Sequence, residues 1–430
     1  VESTRPVNRR QFLTDAGKVA AVASVGLTAA SAKRVLGANE RMRVGVIGPG
    51  LRGFNVLIRG GLQRIDNVDL VAVADIYEGW RERGIEAAQL TYEKAKGYDH
   101  YKKLLDAKDK DKLDAVVIAT PEHSHCRMVL DALDAGFDVY CEKPMTHTVE
   151  EAKQVVAANK KANRIIQVGT QRRSIDVYQQ AAKIAQAGQI GKITQVRAFW
   201  YRNSKNDSPQ WRYYIPEEAS EKNLNWKEFL GTAPDRPFDL KRYFQWRCYW
   251  DYSMGIASDL MIHQVDATNM VLGSTAPKSV FAMGSTLRWT KDLDPDRETP
   301  DTWNTLIDYG SFQFNYSSCF SNEHYELGEQ FLGTDGTIEI EKEGATLRVF
   351  PEAEKIRSIA EVPELEVRSK DPNGAKSHLE NFLGCCRTRK RPNCTEVDGY
   401  YGVIAAHMAV RSFFEGKRVT WDAENEVEVV

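Results

Sequence analysis

The sequence predicts an α/β chain in two parts: a doubly wound parallel sheet, then an α/β domain built on a large, open, mostly antiparallel sheet. Three observations lead there. Short apolar strands alternate with helical stretches between residues 42 and 169, the pattern of units that pair in parallel. The first strand runs straight into a glycine-rich loop. From residue 193 the strands lengthen and their inward and outward side chains alternate, as when one sheet face is buried and the other is not.

In residues 42–53, Val44, Val46 and Ile47 make a buried strand, and Gly48-Pro49-Gly50-Leu51-Arg52-Gly53 is a G-x-G-x-x-G loop that opens a helix. Gly48 allows the tight bend, Gly50 lets the backbone approach a pyrophosphate, and Gly53 lets helix and strand pack closely. Free N–H groups and the helix dipole then face phosphate. The next strand, 70–75, ends in Asp75, about 20 residues past the last glycine. A carboxylate there bonds the adenosine ribose and repels a 2′-phosphate, so NAD is expected ahead of NADP, in a Rossmann domain spanning 41–170. The competing reading of Asp75 is a turn or N-cap aspartate.

Residues 79–105 read as a helical surface. Strand 113–120 ends in Thr120-Pro121, and a helix begins near His125 with Met128, Val129, Leu130 and Leu133 on its apolar face. Strand 136–141 ends in Glu142-Lys143-Pro144. Ligands sit at the carboxyl ends of such strands, which places Thr120, Pro121, His125, Glu142 and Lys143 beside a cofactor. Two readings of His125 stand: contact with the nicotinamide side, or a helix cap. Glu142 either braces the turn or bonds the cofactor. Pro144 leaves a cis peptide open. Helix 148–162 and strand 165–169 close the first domain. Gln171 and Arg172 stand at the crossing into the second, 171–430.

In that second part, 177–187, 375–386 and 399–414 read as helices, the last of them able to pack back on the first domain. Strands are expected at 193–201, 279–288, 302–309, 311–319, 336–341 and 345–350. Residues 203–237 read as a long ordered loop.

The net charge of −2, from 58 basic and 60 acidic side chains, gives no footprint for nucleic acid or an anionic membrane. Seven cysteines without a C-x-x-C point to buried free thiols, so neither a metal nor a disulfide framework is expected. Arg9-Arg10-Gln11-Phe12-Leu13, followed by a small, weakly apolar run at 19–32, is a twin-arginine (Tat) pattern too short to span a bilayer. Residues 1–40 therefore read as an export signal or N-terminal arm. The protein is expected to be periplasmic or otherwise exported, and cytoplasmic if the leader is silent, with no membrane-spanning segment once mature. Export of a folded protein carries its cofactor along, so tight retention is expected.

The glycine loop, Ala119-Thr120-Pro121 with His125, and above all Glu142-Lys143-Pro144 resemble the Gfo/Idh/MocA family, the glucose–fructose oxidoreductase and inositol dehydrogenase group. Asp259-Leu260-Met261-Ile262-His263 with Asp266, and Gly333-Thr334-Asp335-Gly336-Thr337, match its second half. The resemblance runs from about residue 41 to 422. It implies NAD(P), a sugar or polyol substrate, and homo-oligomers (dimers or tetramers) paired through the open sheet.

With that resemblance, Lys143 is the candidate proton relay rather than a surface lysine, its pKa lowered by partial desolvation beside a cationic ring. Asp259 and His263 lie one turn apart on one helix face and join it as catalytic candidates. His263 would hold or deprotonate the reacting hydroxyl with a near-neutral pKa, and Asp259 would orient substrate or tune Lys143. Aromatic and basic residues crowd the start of the second part: Trp200, Tyr201, Arg202, Trp211, Arg212, Tyr213, Tyr243, Trp246, Arg247 and Trp250. Gln171, Arg172, Tyr201 and Arg247 are the substrate-side candidates.

The expected reaction passes hydride between a hydroxyl carbon and a tightly held nicotinamide. One rival is a redox-neutral glycosidase working by oxidation, elimination and reduction, with Tyr201 or His324 as the additional acid/base. The other is a non-catalytic sugar- or NAD-binding protein.

Overall fold

The computed structural model describes residues 41–205 and 207–430, so the twin-arginine run lies outside the described residues. Six strands form the first sheet: β1 (Met42–Ile47), β2 (Val68–Ala74), β3 (Lys96–Tyr98), β4 (Ala115–Ile118), β5 (Asp138–Cys141) and β6 (Ile166–Val168). All pair in parallel, in the order β3-β2-β1-β4-β5-β6. This is the doubly wound order, with its crevice where the order reverses, between β1 and β4. β2, β4 and β5 are buried along their whole length, which is why they read as continuous apolar runs. β3 interrupts the stretch expected to be helical. It is a three-residue edge strand carrying lysine and glycine, too short and polar to announce itself.

Helix Val149–Ala162 opens on a capping box between Thr148 and Glu151 and closes on Asn163 in the left-handed conformation. One face of the first sheet is covered from far along the chain. Leu379, Phe382 and Leu383 of helix Ala375–Thr388 share a core with Val44, Val46, Leu57 and Leu62. Helix Glu396–Glu415 packs against Val149–Ala162. The last helices thus return to the first sheet.

The second sheet has ten strands: β7 (Ile193–Trp200), β8 (Ser279–Ser285), β9 (Thr302–Asp308), β10 (Gln313–Cys319), β11 (Leu327–Gly333), β12 (Gly336–Glu341), β13 (Thr346–Pro351), β14 (Leu365–Arg368), β15 (Val419–Asp422) and β16 (Val427–Val429). Their order is β14-β13-β12-β11-β7-β10-β9-β8-β15-β16, antiparallel except where β7 meets β10. Helices Asp176–Gln186 and Glu396–Glu415 pack against it. Its other face exposes Phe281, Met283 and Leu306. β11, β14, β15 and β16 escape the sequence reading. β11 has glycine near both ends and a fully buried Glu329, which break the alternation, and the others are short pieces of three or four residues at the two ends of the sheet.

Among the described residues no helix is long and apolar enough to cross a membrane. Six of the seven cysteines are buried and Cys319 is half-buried.

Candidate active site

A cavity of about 510 Å³ opens at the carboxyl ends of the first sheet's strands and is roofed by residues of the second half. The glycine loop forms its floor. Gly48 has a φ of +82°, and a Cβ there would come within 2.9 Å of the Thr120 backbone nitrogen. A Cβ on Gly53 would meet the Gly48 carbonyl at 2.3 Å, the close approach expected of the third glycine. Gly50 differs: a Cβ there meets nothing closer than Trp80 at 3.9 Å, and Gly50 lines the cavity. That is a cradle which a side chain would fill and a pyrophosphate can occupy. The turns that follow, Gly53–Arg59, are wide π turns. Arg52 Nε donates to Glu142 Oε1 at 2.9 Å, while its Nη2 is buried without a hydrogen-bond partner, a donor suited to an anion.

Asp75, at the end of β2, lines the cavity and is nearly buried. Its Oδ1 accepts from the Tyr77 backbone N–H at 2.9 Å and the Tyr243 hydroxyl at 3.1 Å. Burial raises its pKa to about 6 against the pull of those bonds. Trp80, Tyr243 and Phe244 wall this end. The residues present fit a dinucleotide.

Lys143 follows β5, and its peptide bond to Pro144 is cis. Its Nζ donates to the Asp259 carbonyl at 2.7 Å, Asp259 Oδ1 at 3.0 Å and the Ser258 carbonyl at 3.3 Å. Asp259 sits on a second wide-turn segment, Ala257–Met261, which presents those carbonyls to the lysine. Arg247 Nε also donates to Asp259 Oδ1, at 2.9 Å. Burial alone would raise the Asp259 pKa, but the charges of Lys143, Arg247 and Arg202 hold it well below the usual carboxylate range. Burial pushes the Lys143 ammonium below its ordinary value, with Asp259 opposing. Beneath them Glu122 Oε1 accepts from Ser258 Oγ at 3.0 Å and from the Met254 backbone, and burial raises it to about 7.

His263 lies one turn beyond Asp259 and lines the cavity. Its Nδ1 is buried without a partner, and its ring is tilted against Trp200 at 5.7 Å. The expected near-neutral pKa is corrected: burial, then the charges of Lys143, Arg172 and Arg52, drive it well below 6.5. The ring is therefore neutral at physiological pH.

Leu51, Arg52, Thr120, Pro121, Glu142, Gln171, Arg172 and Arg247 all line the cavity. Arg172 Nη1 donates to buried Glu329 at 2.7 Å and stacks over Trp200. Four expectations fail. Pro49 faces away, packed where Gly84 makes room for its ring. His125 lies outside the cavity, its ring nitrogens 2.7 Å and 2.8 Å from the carbonyls of Pro144 and Thr120, so it ties two strand ends together. Tyr201 bonds Ser317 at 2.6 Å and stacks on Phe199, off the cavity. His324 is exposed on the connection between β10 and β11, away from it. The reason for Tyr201 is strand period: Trp200 and Arg202 face the cavity, so the residue between them cannot. Trp200, Arg202, Tyr213, Tyr243 and Trp246 are the lining residues the sequence reading left unchosen within its own aromatic and basic run. Nothing in the sequence marked Glu122. Asp266 of the D-x-x-x-H run is structural: both its oxygens accept from Arg173 Nε at 2.9 Å.

The comparisons agree with this geometry. Residues 42–170 match the family model described as the NAD-binding Rossmann fold of the GFO_IDH_MocA oxidoreductases, and 234–421 match the family's C-terminal alpha/beta domain. The chain belongs to that NAD-binding oxidoreductase family. It is 26% identical to the scyllo-inositol 2-dehydrogenase (NAD(+)) of Bacillus subtilis, over 90% of this chain and 98% of that one. It is 35% identical to inositol 2-dehydrogenase 4 of Saccharopolyspora erythraea, but over 36% of this chain and less than half, 44%, of that relative. A levoglucosan dehydrogenase solved with NADH superposes with a TM-score of 0.66 at 19% identity, covering 88% of this chain and 99% of that one. At that identity the likeness speaks for the fold.

Proposed function

We propose that this chain is an exported NAD-dependent dehydrogenase that oxidises a hydroxyl carbon of a sugar or polyol, residues 41–170 holding the cofactor and 171–430 presenting the substrate. The observation that carries the reading is the placement of Lys143: its amine ends between the glycine-loop floor and a roof of arginines and aromatic rings, held by three acceptors. The relatives' names, a scyllo-inositol 2-dehydrogenase (NAD(+)) and an inositol 2-dehydrogenase, point the same way. Export rests on the twin-arginine run alone.

Bound NAD supplies the hydride acceptor. In its amine form Lys143 takes the proton of the substrate hydroxyl, and as ammonium it returns one in the reverse direction. Asp259 anchors the ammonium and favours it, setting the pH at which the base appears. Neutral His263 lines the same chamber, placed to hold that hydroxyl without adding charge. Tyr213 and Trp246 give apolar surface for the carbon side of a ring. Asp75 selects NAD over NADP. Tyr243, reaching Asp75 from the second half, helps to enclose the adenosine end, in keeping with a tightly held cofactor.

Two copies are proposed to pair through the open face of the second sheet, where Phe281 lies opposite Leu306 and both are exposed.

The test is chemical. Purified protein incubated with NAD and a panel of inositols, aldoses and glycosides should form NADH and a carbonyl product, ketone or lactone, two hydrogens lighter by mass spectrometry. Release of an aglycone without net NADH would instead select the glycosidase.

A further inference from the structure

We infer that the sugar or polyol taken by this site carries an anionic group, a carboxylate or a phosphate, bound in the same chamber as Lys143; this rests on the dehydrogenase reading above. The substrate side of the cavity presents four cations, Lys143, Arg172, Arg202 and Arg247. Two carboxylates answer them. Asp259 is shared by Lys143 and Arg247, and Glu329 is taken by Arg172. Arg202 has no carboxylate of its own. Its charge reaches Asp259, which two cations in direct contact already share, and no carboxylate among the described residues lies within ion-pair distance of it; its backbone N–H donates to the Cys319 carbonyl at 2.9 Å and its guanidinium lies over the Trp200 ring at 4.9 Å. Arg52 does not change the balance, because it belongs to the glycine loop and is paired with Glu142. Glu122 lies behind Ser258 outside the cavity wall, and even fully ionised it leaves one cation in excess.

Charges removed from water are stable only when paired. A neutral sugar filling this chamber would strip water from Arg202 and supply no counter-charge, and NAD in its oxidised form adds a further positive ring. An anionic substituent satisfies both. The Arg202 guanidinium lies over Trp200 at 4.9 Å and lines the cavity, and the fork of N–H groups on a guanidinium suits a two-pronged contact with carboxylate or phosphate. Trp246, under Arg247 at 4.2 Å, and Tyr213 line the same cavity and supply the apolar surface for the sugar ring.

The experiment compares matched probes on the NAD-loaded protein: glucose, galactose and mannose, the corresponding uronic acids, and the corresponding 6-phosphates. Binding is measured by titration calorimetry and turnover by NADH formation. In at least one of the three series the uronate or the phosphate should bind about tenfold or more tightly than its neutral parent. Which of the two wins identifies the anion. The preference should shrink with added salt, and it should fall to near parity in Arg202→Gln while Arg202→Lys keeps part of it. NAD affinity, measured alongside, should be unchanged in both variants. Equal or weaker binding of every anionic probe overturns the inference, as does an absence of measurable binding by all nine. So does an Arg202→Gln variant that loses NAD affinity instead. Tighter anion binding with no NADH from any probe would leave the inference standing and count against the dehydrogenase reading.

Discussion

Lys143 and Asp259 set each other's charge, and that coupling has a readable consequence. Burial lowers the lysine's pKa and Asp259 raises it. The oxidation rate should therefore climb with pH as the ammonium loses its proton, with a midpoint below 10.5. Removing the acid in Asp259→Asn takes away the negative charge that favours the ammonium, so the midpoint of the kcat/KM profile should move to lower pH. A midpoint that stays put would mean that another group titrates. His263, neutral because of burial and its cationic neighbours, should add no step near 6.5 to that profile. Asp75 gives a second pH effect. With its pKa raised to about 6, it is mostly ionised at pH 7 and protonates below 6. Discrimination against NADP should weaken several-fold between pH 7.5 and about 5.5, as the charge that repels the 2′-phosphate is lost. Parallel Kd values for NAD and NADP across that range check it. A constant ratio would place selectivity elsewhere.

At the scale of elements, the cavity is assembled by short irregular pieces set on regular ones. The glycine loop, the turn after β5, and the wide turns at Ala257–Met261 each carry a functional group, while parallel strands and long helices hold them. β11 contributes to this from beneath through Glu329, which holds Arg172 against Trp200. Glu329→Ala would leave a buried guanidinium without its counter-charge, at a cost of about 3–5 kcal/mol in denaturant unfolding. A loss below about 1 kcal/mol would show that water already reaches the pair. These pieces also explain what the sequence discloses. The parallel strands are legible because both faces are buried, and the glycine loop because each glycine answers a separate steric demand. Lys143, Asp259 and His263 were legible as a set. The direction of the His263 shift was not, because it depends on burial first and then on three cations brought in from distant segments. Tyr201 was misplaced where the strand period, already visible from residue 193, put its neighbours in the cavity. His125 sat at the right strand end for a ligand but was claimed by two backbone carbonyls, which sequence does not show.

For the whole molecule, the two sheets do not stand apart energetically. Helix Ala375–Thr388 lies late in the chain yet closes the core against the glycine-loop side of the first sheet. Phe382, fully buried there and edge-on to Tyr140 at 5.9 Å, should cost about 3–5 kcal/mol when cut to alanine. Because that core belongs to the first sheet, NAD affinity should fall with stability in Phe382→Ala, although the residue is remote from the cavity lining. A destabilised variant with unchanged NAD affinity would show that the floor holds its shape without this helix. The cofactor floor is thus completed by residues from the end of the chain, and the substrate roof by residues from its middle.

The claim on which all of this turns is that the Lys143 amine handles the proton of the substrate hydroxyl. Steady-state kinetics of Lys143→Met, with NAD binding followed by fluorescence titration, test it most directly. The account predicts that kcat/KM falls by about a hundredfold or more while the Kd for NAD changes by less than about threefold. Turnover close to that of the unaltered protein, with NAD still bound, would contradict it.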